Sequence, residues 1–322
     1  MAPPRVTRRV GSRELSLSNL DKVLWPADGY TKGDLIDYYE RVAPCALPHL
    51  KGRPLTLQRY PNGIDGQTFF EKQIPRGVPD WVERVTVPTP SGSRSQITFM
   101  LCNNLPTLVL LANLATIVLH IWTSRVPELD EPDFVIFDLD PGEKCTLRTL
   151  AEVALGVRDL LAEVGLKPLV KTTGGYGLHV VLPLRSGYSY DTAKVFAEIV
   201  ARQAAQRLGE SVTLQRTIAK RPQAAVYLDY VQVGQGKTIV APYSVRARDG
   251  APVSTPLHWP EVEAFARRRA TTAPADEFAK MNIRTAPKRF EREGDLWGGR
   301  LWKKQRLEGA LGKAQRLWSE PG

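Results

Sequence analysis

Two carboxylates at alternate positions, at the end of an apolar run, are the residues of this 322-residue chain best placed to do chemistry: Phe134-Val-Ile-Phe-Asp138-Leu-Asp140-Pro-Gly142. The four apolar residues read as a buried strand. Side chains alternate along a strand, so Asp138 and Asp140 share a face with Cα atoms about 6.5–7 Å apart. Such a pair can hold one or two hard divalent ions, Mg²⁺ or Mn²⁺, and ions held this way usually act on phosphate-bearing substrates. Pro cannot donate to a ladder, so Pro141 and Gly142 are expected to end the strand and leave the carboxylates at a rim. The plain alternative is a strand running out into a solvated loop.

Three further groups carry chemistry of the same kind. In Lys171-Thr-Thr-Gly-Gly-Tyr-Gly-Leu-His179, the hydroxyls of Thr172 and Thr173 precede Gly174 and Gly175. Without a Cβ in the way, backbone N–H groups there can approach a phosphate. An ordinary hairpin turn would use the same residues. His179 opens an alternating strand, where a packed histidine is the simpler role. In Val226-Tyr-Leu-Asp229-Tyr, strand alternation puts Tyr227, Asp229 and Val231 on one face. An acid inside an apolar strand needs a metal or a basic neighbour. Finally, Lys237 precedes Ala241-Pro-Tyr-Ser-Val-Arg246-Ala-Arg248. If extended, Arg246 and Arg248 reach the same side and suit either triphosphate oxygens or a solvated edge. Three aspartates on two strands, a hydroxyl–glycine turn and a basic follow-on are together what metal-assisted nucleotidyl transfer requires. Cations bridge the triphosphate and the attacking hydroxyl, while basic groups hold the β- and γ-phosphates.

The elements that must position these residues are legible in outline. The N-terminal part, to about Pro54, reads as helical, with Thr31-Lys-Gly-Asp34 as a helix start. Strands are expected over 55–60 and 96–102. Residues 95–124 lack Asp, Glu, Lys and Arg. Pro106, Asn113 and His120 interrupt that apolar run, so it reads as a short buried helix and then a central strand rather than a membrane span. Thr146 is placed to cap a helix to Val164. Strands at 168–172 and 178–184 follow, then a helix over 191–208 closed by Gly209. Strands at 225–233 and 238–241 flank the Gly234-Gln-Gly236 turn. From Glu261 the chain reads as helical and basic. Short turns between strands favour a mixed or antiparallel sheet, hence an α+β fold.

The net charge is +10, which suggests a polyanionic partner or simply solubility. Half of that excess lies between Lys288 and Arg316, where nine Lys/Arg stand against four Asp/Glu. Trp297, Trp302 and Trp318 are interleaved there, either to stack on nucleic acid or to dock a C-terminal helix on the body. The cysteines, Cys45, Cys102 and Cys145, are widely spaced and form no CxxC, which fits a reducing compartment without a zinc site. No signal-peptide pattern opens the chain.

With these motifs in order, the chain resembles the archaeo-eukaryotic primase superfamily, and most closely the polymerase domain of bacterial ATP-dependent DNA ligase D and its stand-alone primase-polymerase relatives. The similarity covers about residues 12–290. It runs through Asn19-Leu-Asp-Lys-Val-Leu-Trp-Pro26, Arg59-Tyr-Pro-Asn-Gly63, Ala112-Asn-Leu114 to Leu119-His-Ile-Trp-Thr-Ser-Arg125, the Asp-Leu-Asp-Pro-Gly run, Thr172–His179, Leu228-Asp-Tyr230 and Ala241–Ala247. The resemblance implies an RRM-like catalytic core with a mixed or antiparallel sheet. It implies one large domain over 1–290, with an N-terminal α/β module of about 1–100 and a basic, Trp-containing helical tail over 291–322. It makes Asp138, Asp140 and Asp229 the ligands of a two-metal Mn²⁺ or Mg²⁺ site. His120, Thr172, Thr173, Gly174, Gly175, His179, Lys237 and Arg246 would bind the nucleotide. Lys22 and Lys32 would grip the 5′-phosphate of a downstream DNA strand, Phe69 and Phe70 would lie beside the template base, and Arg59 would contact DNA. Two departures stand out: Tyr176 replaces a common family lysine, and Gln58 stands where a basic residue is usual.

The implied protein is a monomeric bacterial enzyme of the cytoplasm, associated with the nucleoid and with no membrane. It fills short gaps and extends broken ends on duplexes with a 5′-phosphate, using NTP or dNTP, with ribonucleotides accepted. Bacterial Ku and a DNA ligase are the implied partners, and the opening Met-Ala-Pro-Pro favours a stand-alone enzyme. Two rivals remain at this stage. A haloacid-dehalogenase-type phosphatase also carries a DxD after an apolar strand, but commonly with Thr or Val where Pro141-Gly142 stands here. The other rival is a non-catalytic DNA-end-binding module.

Overall fold

Thr31 and Asp34 close a capping box: the Thr31 hydroxyl accepts the Asp34 N–H, and the Asp34 carboxylate accepts the Thr31 N–H at 2.7 Å. The helix so started, Lys32–Leu50, buries Leu35, Ile36, Tyr39, Val42, Ala43, Ala46 and Leu50 at helical spacing. It belongs to the first of two units in this computed structural model, which describes residues 5–89, 95–269, 271–298 and 302–318. The first unit comprises Met1–Pro127, Thr238–Thr255 and Ala279–Asp295; the second comprises Glu128–Lys237, Pro256–Phe278 and Leu296–Gly322. The opening residues 1–4, and residues 299–301 and 319–322 of the basic tail, lie outside the described residues.

The helical expectation for the N-terminus is corrected before Thr31. Arg5–Val10 and Arg13–Ser18 form an antiparallel hairpin, and Val23–Trp25 pairs with Tyr30–Thr31. The physical reason is period: Leu15 and Leu17 are buried two residues apart, which is a strand repeat. The centre of the first unit is a four-stranded antiparallel sheet ordered Thr238–Val240, Thr116–Trp122, Leu55–Arg59, Phe69–Glu71. The uncharged run divides as expected, into helix Leu105–Asn113, capped by Asn104, and strand Thr116–Trp122. Among the described residues no helix is long and apolar enough to cross a membrane.

The second unit is built on a six-stranded sheet ordered Val212–Thr213, Val226–Asp229, Phe134–Pro141, Leu178–Pro183, Leu169–Thr172, Pro256–Leu257. Only the first pair is parallel; the others are antiparallel. Helices Leu147–Glu163, capped by Thr146, and Tyr190–Leu208, closed by Gly209, pack on this sheet and on each other. The sheet face carrying Val135, Phe137, Leu139, Val180, Leu182 and Leu228 is apolar and buried, and so matches the apolar stripes of the two helices. The architecture is therefore α+β with mainly antiparallel sheets.

Three local expectations differ from the structure. Strand Phe134–Pro141 runs one residue into Pro141, opposite Val226, before Gly142 turns away. A Cβ on Gly142 would lie 2.3 Å from the Gln223 carbonyl oxygen, so the turn needs glycine. The strand expected to reach Val233 stops at Asp229, whose Oδ1 accepts the Val231 N–H at 2.9 Å and bends the chain as an Asx turn. Residues 225–229 and 238–240 consequently enter different sheets. The segment after Ala241 is turned rather than extended: the Arg246 N–H donates to Pro252 O, and the Ala251 N–H donates to Arg248 O.

The tail tryptophans of the second unit dock. Trp297 is buried and stacks at a tilt on Trp302, whose ring meets Phe134 edge-on at 5.8 Å. Helix Glu308–Trp318 buries Ala310 and Ala314, and Trp318 Nε1 donates to Glu163 at 3.3 Å.

Candidate active site

Antiparallel register assembles the acidic site in the second unit. Asp138 stands opposite Asp229 on one side and His179 on the other, and His179 stands opposite Lys171. Directly opposed residues point to the same face. Lys171, His179, Asp138 and Asp229 therefore form one row across four strands, with Asp140 and Tyr227 paired in the neighbouring row of that face. His179 Nε2 lies 3.1 Å from Asp138 Oδ1, and both side chains are shielded, at 2% and 15% exposure. Asp229 is held at both oxygens: Oδ1 accepts the Val231 N–H at 2.9 Å, and Oδ2 accepts Gln232 Nε2 at 3.3 Å. The buried Tyr227 shares this face; burial first, and the charge of Asp229 second, push its phenol above its ordinary range.

The Lys171–His179 loop is a tight turn fastened to the acidic strand. Thr173 Oγ1 accepts the N–H groups of Gly175 and Gly177 at 3.1 and 3.2 Å, and the Thr173 N–H donates to Gly177 O at 2.9 Å. Gly174 adopts φ +69°, the left-handed region. A Cβ on Gly177 would fall 2.3 Å from the carbonyl oxygen of Leu139, the residue between the two aspartates. Thr173, Gly174 and Gly175 thus stand beside the acidic face, while Thr172 does not join it. Thr172 pairs with Leu178 in the apolar register row, so its side chain points to the face opposite His179. Tyr176 is about half exposed at the tip of the turn. Lys237 donates to Val231 O. Partial desolvation lowers its pKa, Asp229 opposes that shift, and Lys194 and Arg216 add to it.

The other candidates lie in the first unit. Lys22 Nζ donates to Asn62 at 2.9 Å. Lys32 is buried and donates to Asn113 O at 3.1 Å and Ser18 Oγ at 3.4 Å. Burial, and secondarily the charge of Lys22, lower the Lys32 pKa to about 8. Two cations this close repel unless an anion joins them. Arg59 is engaged within the protein, with Glu71 at 2.9 Å and Leu114 O at 2.9 Å. Phe69 and Phe70 are exposed, and the Phe70 ring lies 5.4 Å from that of His120. His120 Nε2 sits 3.3 Å from Gln58 Oε1, and Gln58 in turn donates to the Tyr60 hydroxyl. Arg246 and Arg248 are close enough to Tyr60 to favour its ionised form, against the larger opposing effect of burial.

Sequence reasoning left Lys171 and Gln232 without a role. Lys171 joins the row through its register opposite His179, which alternation within one strand does not reveal, and Gln232 depends on the unforeseen Asx turn. Among the described residues, no three His, Cys, Asp or Glu side chains are already gathered as a metal cage. The three aspartates nevertheless form an all-carboxylate donor set on adjacent register positions, which suits a hard cation such as Mg²⁺ or Mn²⁺.

Comparisons with known proteins place the chain in a family. The family model described as "LigD, primase-polymerase domain" matches residues 31–297. The chain is 38% identical over 248 residues to the multifunctional non-homologous end joining protein LigD of Mycolicibacterium smegmatis, covering 76% of this chain and 32% of that protein. It is 39% identical over 265 residues to the multifunctional non-homologous end joining DNA repair protein LigD of Mycobacterium tuberculosis, covering 80% of this chain and 34% of that protein. The chain thus spans about a third of the length of these curated relatives. Its structure is similar to that of the polymerase domain of Mycobacterium tuberculosis ligase D in complex with DNA, with TM-score 0.79 and 37% identity over 88% of this chain and 96% of that one. A family match across most of the chain, a shared fold, and an acidic row seated where two antiparallel strands oppose Asp138 to Asp229 lead to one conclusion: the chain belongs to the LigD primase-polymerase domain family.

Proposed function

We propose that this chain is a template-directed nucleotidyltransferase that fills short gaps and extends DNA ends in repair by end joining. The observation that carries this is the register that sets Asp138 against Asp229 on the face that also holds Asp140, in a chain of the LigD primase-polymerase domain family. These three carboxylates would hold Mn²⁺ or Mg²⁺, which when bound supplies charge stabilisation for the attacking hydroxyl and the leaving pyrophosphate. His179, 3.1 Å from Asp138 in the same row, would contact the nucleotide's phosphates. The Thr173 turn and Lys237 would bind the nucleotide beside these carboxylates.

The first unit would hold the DNA. Lys22 and Lys32 offer two neighbouring ammonium groups to a 5′-phosphate, and the exposed Phe69 and Phe70 offer stacking faces to template bases. In this proposal the enzyme accepts ribonucleotides as well as deoxynucleotides, acts as a monomer in the bacterial cytoplasm at the nucleoid, and works beside Ku and a DNA ligase.

The test is extension of a labelled primer across a one- to three-nucleotide gap carrying a 5′-phosphate, with Mn²⁺ or Mg²⁺ and either sugar. Templated addition that disappears in the Asp138→Ala/Asp140→Ala protein is expected. Gap binding with no addition under either metal would instead identify a DNA-end-binding module.

A further inference from the structure

The hairpin Arg5–Val10 and Arg13–Ser18 of the first unit has one face in the core and one in the open. Val10, Leu15 and Leu17 are buried, and the hairpin packs on helix Leu105–Asn113. Alternation sends Arg5, Thr7 and Arg9 to the other face, all three exposed, where register sets them opposite Ser18, Ser16 and Glu14. Arg8 points the other way and is engaged by Asp37 at 3.2 Å and Glu40 at 2.9 Å. The open face thus carries two arginines, three hydroxyls and one acid, and no aliphatic or aromatic side chain on which the core of a protein interface could seat.

This face runs up to the Lys32 ammonium. Ser18 Oγ lies 3.4 Å from Lys32 Nζ, and Asn113 joins the two. Its carbonyl accepts Lys32 Nζ at 3.1 Å, its Oδ1 accepts the Ser18 N–H at 3.0 Å, and its Nδ2 donates to Ser16 O at 3.3 Å. Lys32 and the second strand of the hairpin are therefore fixed to one residue. Arg5, opposite Ser18, begins a row that reaches Arg9 four residues on, about 13–14 Å at the rise of a strand. That length matches roughly four base-pair steps of DNA. Guanidinium forks and hydroxyls are the groups that bond phosphate oxygens.

We infer that the open face of this hairpin carries the phosphate backbone of the downstream duplex, over the few base pairs that follow the 5′-phosphate. This rests on the proposal that Lys22 and Lys32 hold that phosphate. The contact is to backbone, so it is independent of base sequence. Glu14, on the same face, opposes it.

The experiment is fluorescence anisotropy over a salt series with three DNAs: a gap with a 5′-phosphate, the same gap without it, and an open primer-template with no downstream strand. The proteins are the parent, Arg5→Gln/Arg9→Gln, Glu14→Gln and Lys32→Ala. The substituted arginines and Glu14 are exposed, so Tm should match the parent in those variants. On both gaps, the slope of log affinity against log salt should become shallower by about 0.9 for each arginine removed. The open primer-template should show no change, and Glu14→Gln should bind both gaps more tightly. Replacing the first few downstream phosphates with uncharged methylphosphonates should weaken the parent and leave the double arginine variant unchanged. Parental slope and affinity on gapped DNA in the double arginine variant would overturn the inference, as would an equal loss on the open primer-template. Parent protein that binds both gaps alike would instead remove the 5′-phosphate reading of Lys22 and Lys32, a separate failure seen without any arginine variant.

Discussion

Lys32 is the residue whose environment makes the sharpest demand. Burial beside Lys22 lowers its pKa to about 8, so its positive charge is present below that pH and lost above it. A phosphate dianion between the two lysines must draw the proton back, and above pH 8 that uptake opposes binding. The affinity advantage of a 5′-phosphorylated gap over an unphosphorylated one should therefore shrink as pH rises from 7 to 9, by up to about tenfold per unit beyond the pKa. Fluorescence anisotropy with both gaps measures it, and Lys32→Ala should flatten the profile. The unfolded chain holds this proton more tightly than the folded one, so the same group makes stability rise with pH between about 8 and its ordinary range. The acidic residues were the most legible part of the site, because two-residue alternation alone puts Asp138 and Asp140 on one face. Lys32 was legible only through family resemblance: nothing in its neighbours reveals that Ser18 and Asn113 O, far along the chain, enclose its ammonium.

Among the elements, the Thr173–Gly177 turn has the least room to change. A side chain at position 177 meets Leu139 O at 2.3 Å, a backbone atom that cannot move without shifting the strand that carries both aspartates. Gly177→Ala should cost about 1–3 kcal/mol, as overpacked sites do, and should lower primer extension further than that loss of stability alone explains; thermal melts beside extension rates separate the two. A substitution library across the turn should tolerate changes at the half-exposed Tyr176 and reject them at Gly174 and Gly177. Helices 147–163 and 190–208 were readable from their caps and apolar spacing. The strand ending at Asp229 was not, because the Asx turn that stops it depends on a side-chain bond rather than on periodicity. The N-terminal hairpin was missed for the opposite reason: its two-residue period is short and mostly polar, and the strong helix after Thr31 dominates the window.

For the molecule as a whole, the basic tail is part of the second unit's core. Trp297, Leu307, Ala310 and Ala314 are buried, and Trp302 covers Phe134 at the far end of the strand that carries the aspartates. Truncation after Asp295 should therefore lower Tm by several degrees and weaken activity through stability, whereas Trp302→Ala should reduce Tm more than DNA affinity; differential scanning fluorimetry and anisotropy on the same proteins decide it. Composition and charge did not distinguish docking from nucleic-acid stacking, since both use aromatic residues among basic ones. Nor did the sequence reveal how the units are interleaved, because pairings such as Thr238–Val240 with Thr116–Trp122 join segments far apart in the chain. The chain passes from one unit to the other after Pro127, Lys237, Thr255, Phe278 and Asp295. Synthesis therefore imposes an order: the strand Thr116–Trp122 leaves the ribosome long before its edge partner at 238–240 exists, and the first unit is not complete until Asp295 has emerged. A nascent chain arrested at Pro127 should remain protease-sensitive and dependent on chaperones, and neither unit can be inherited, swapped or expressed as one contiguous gene segment.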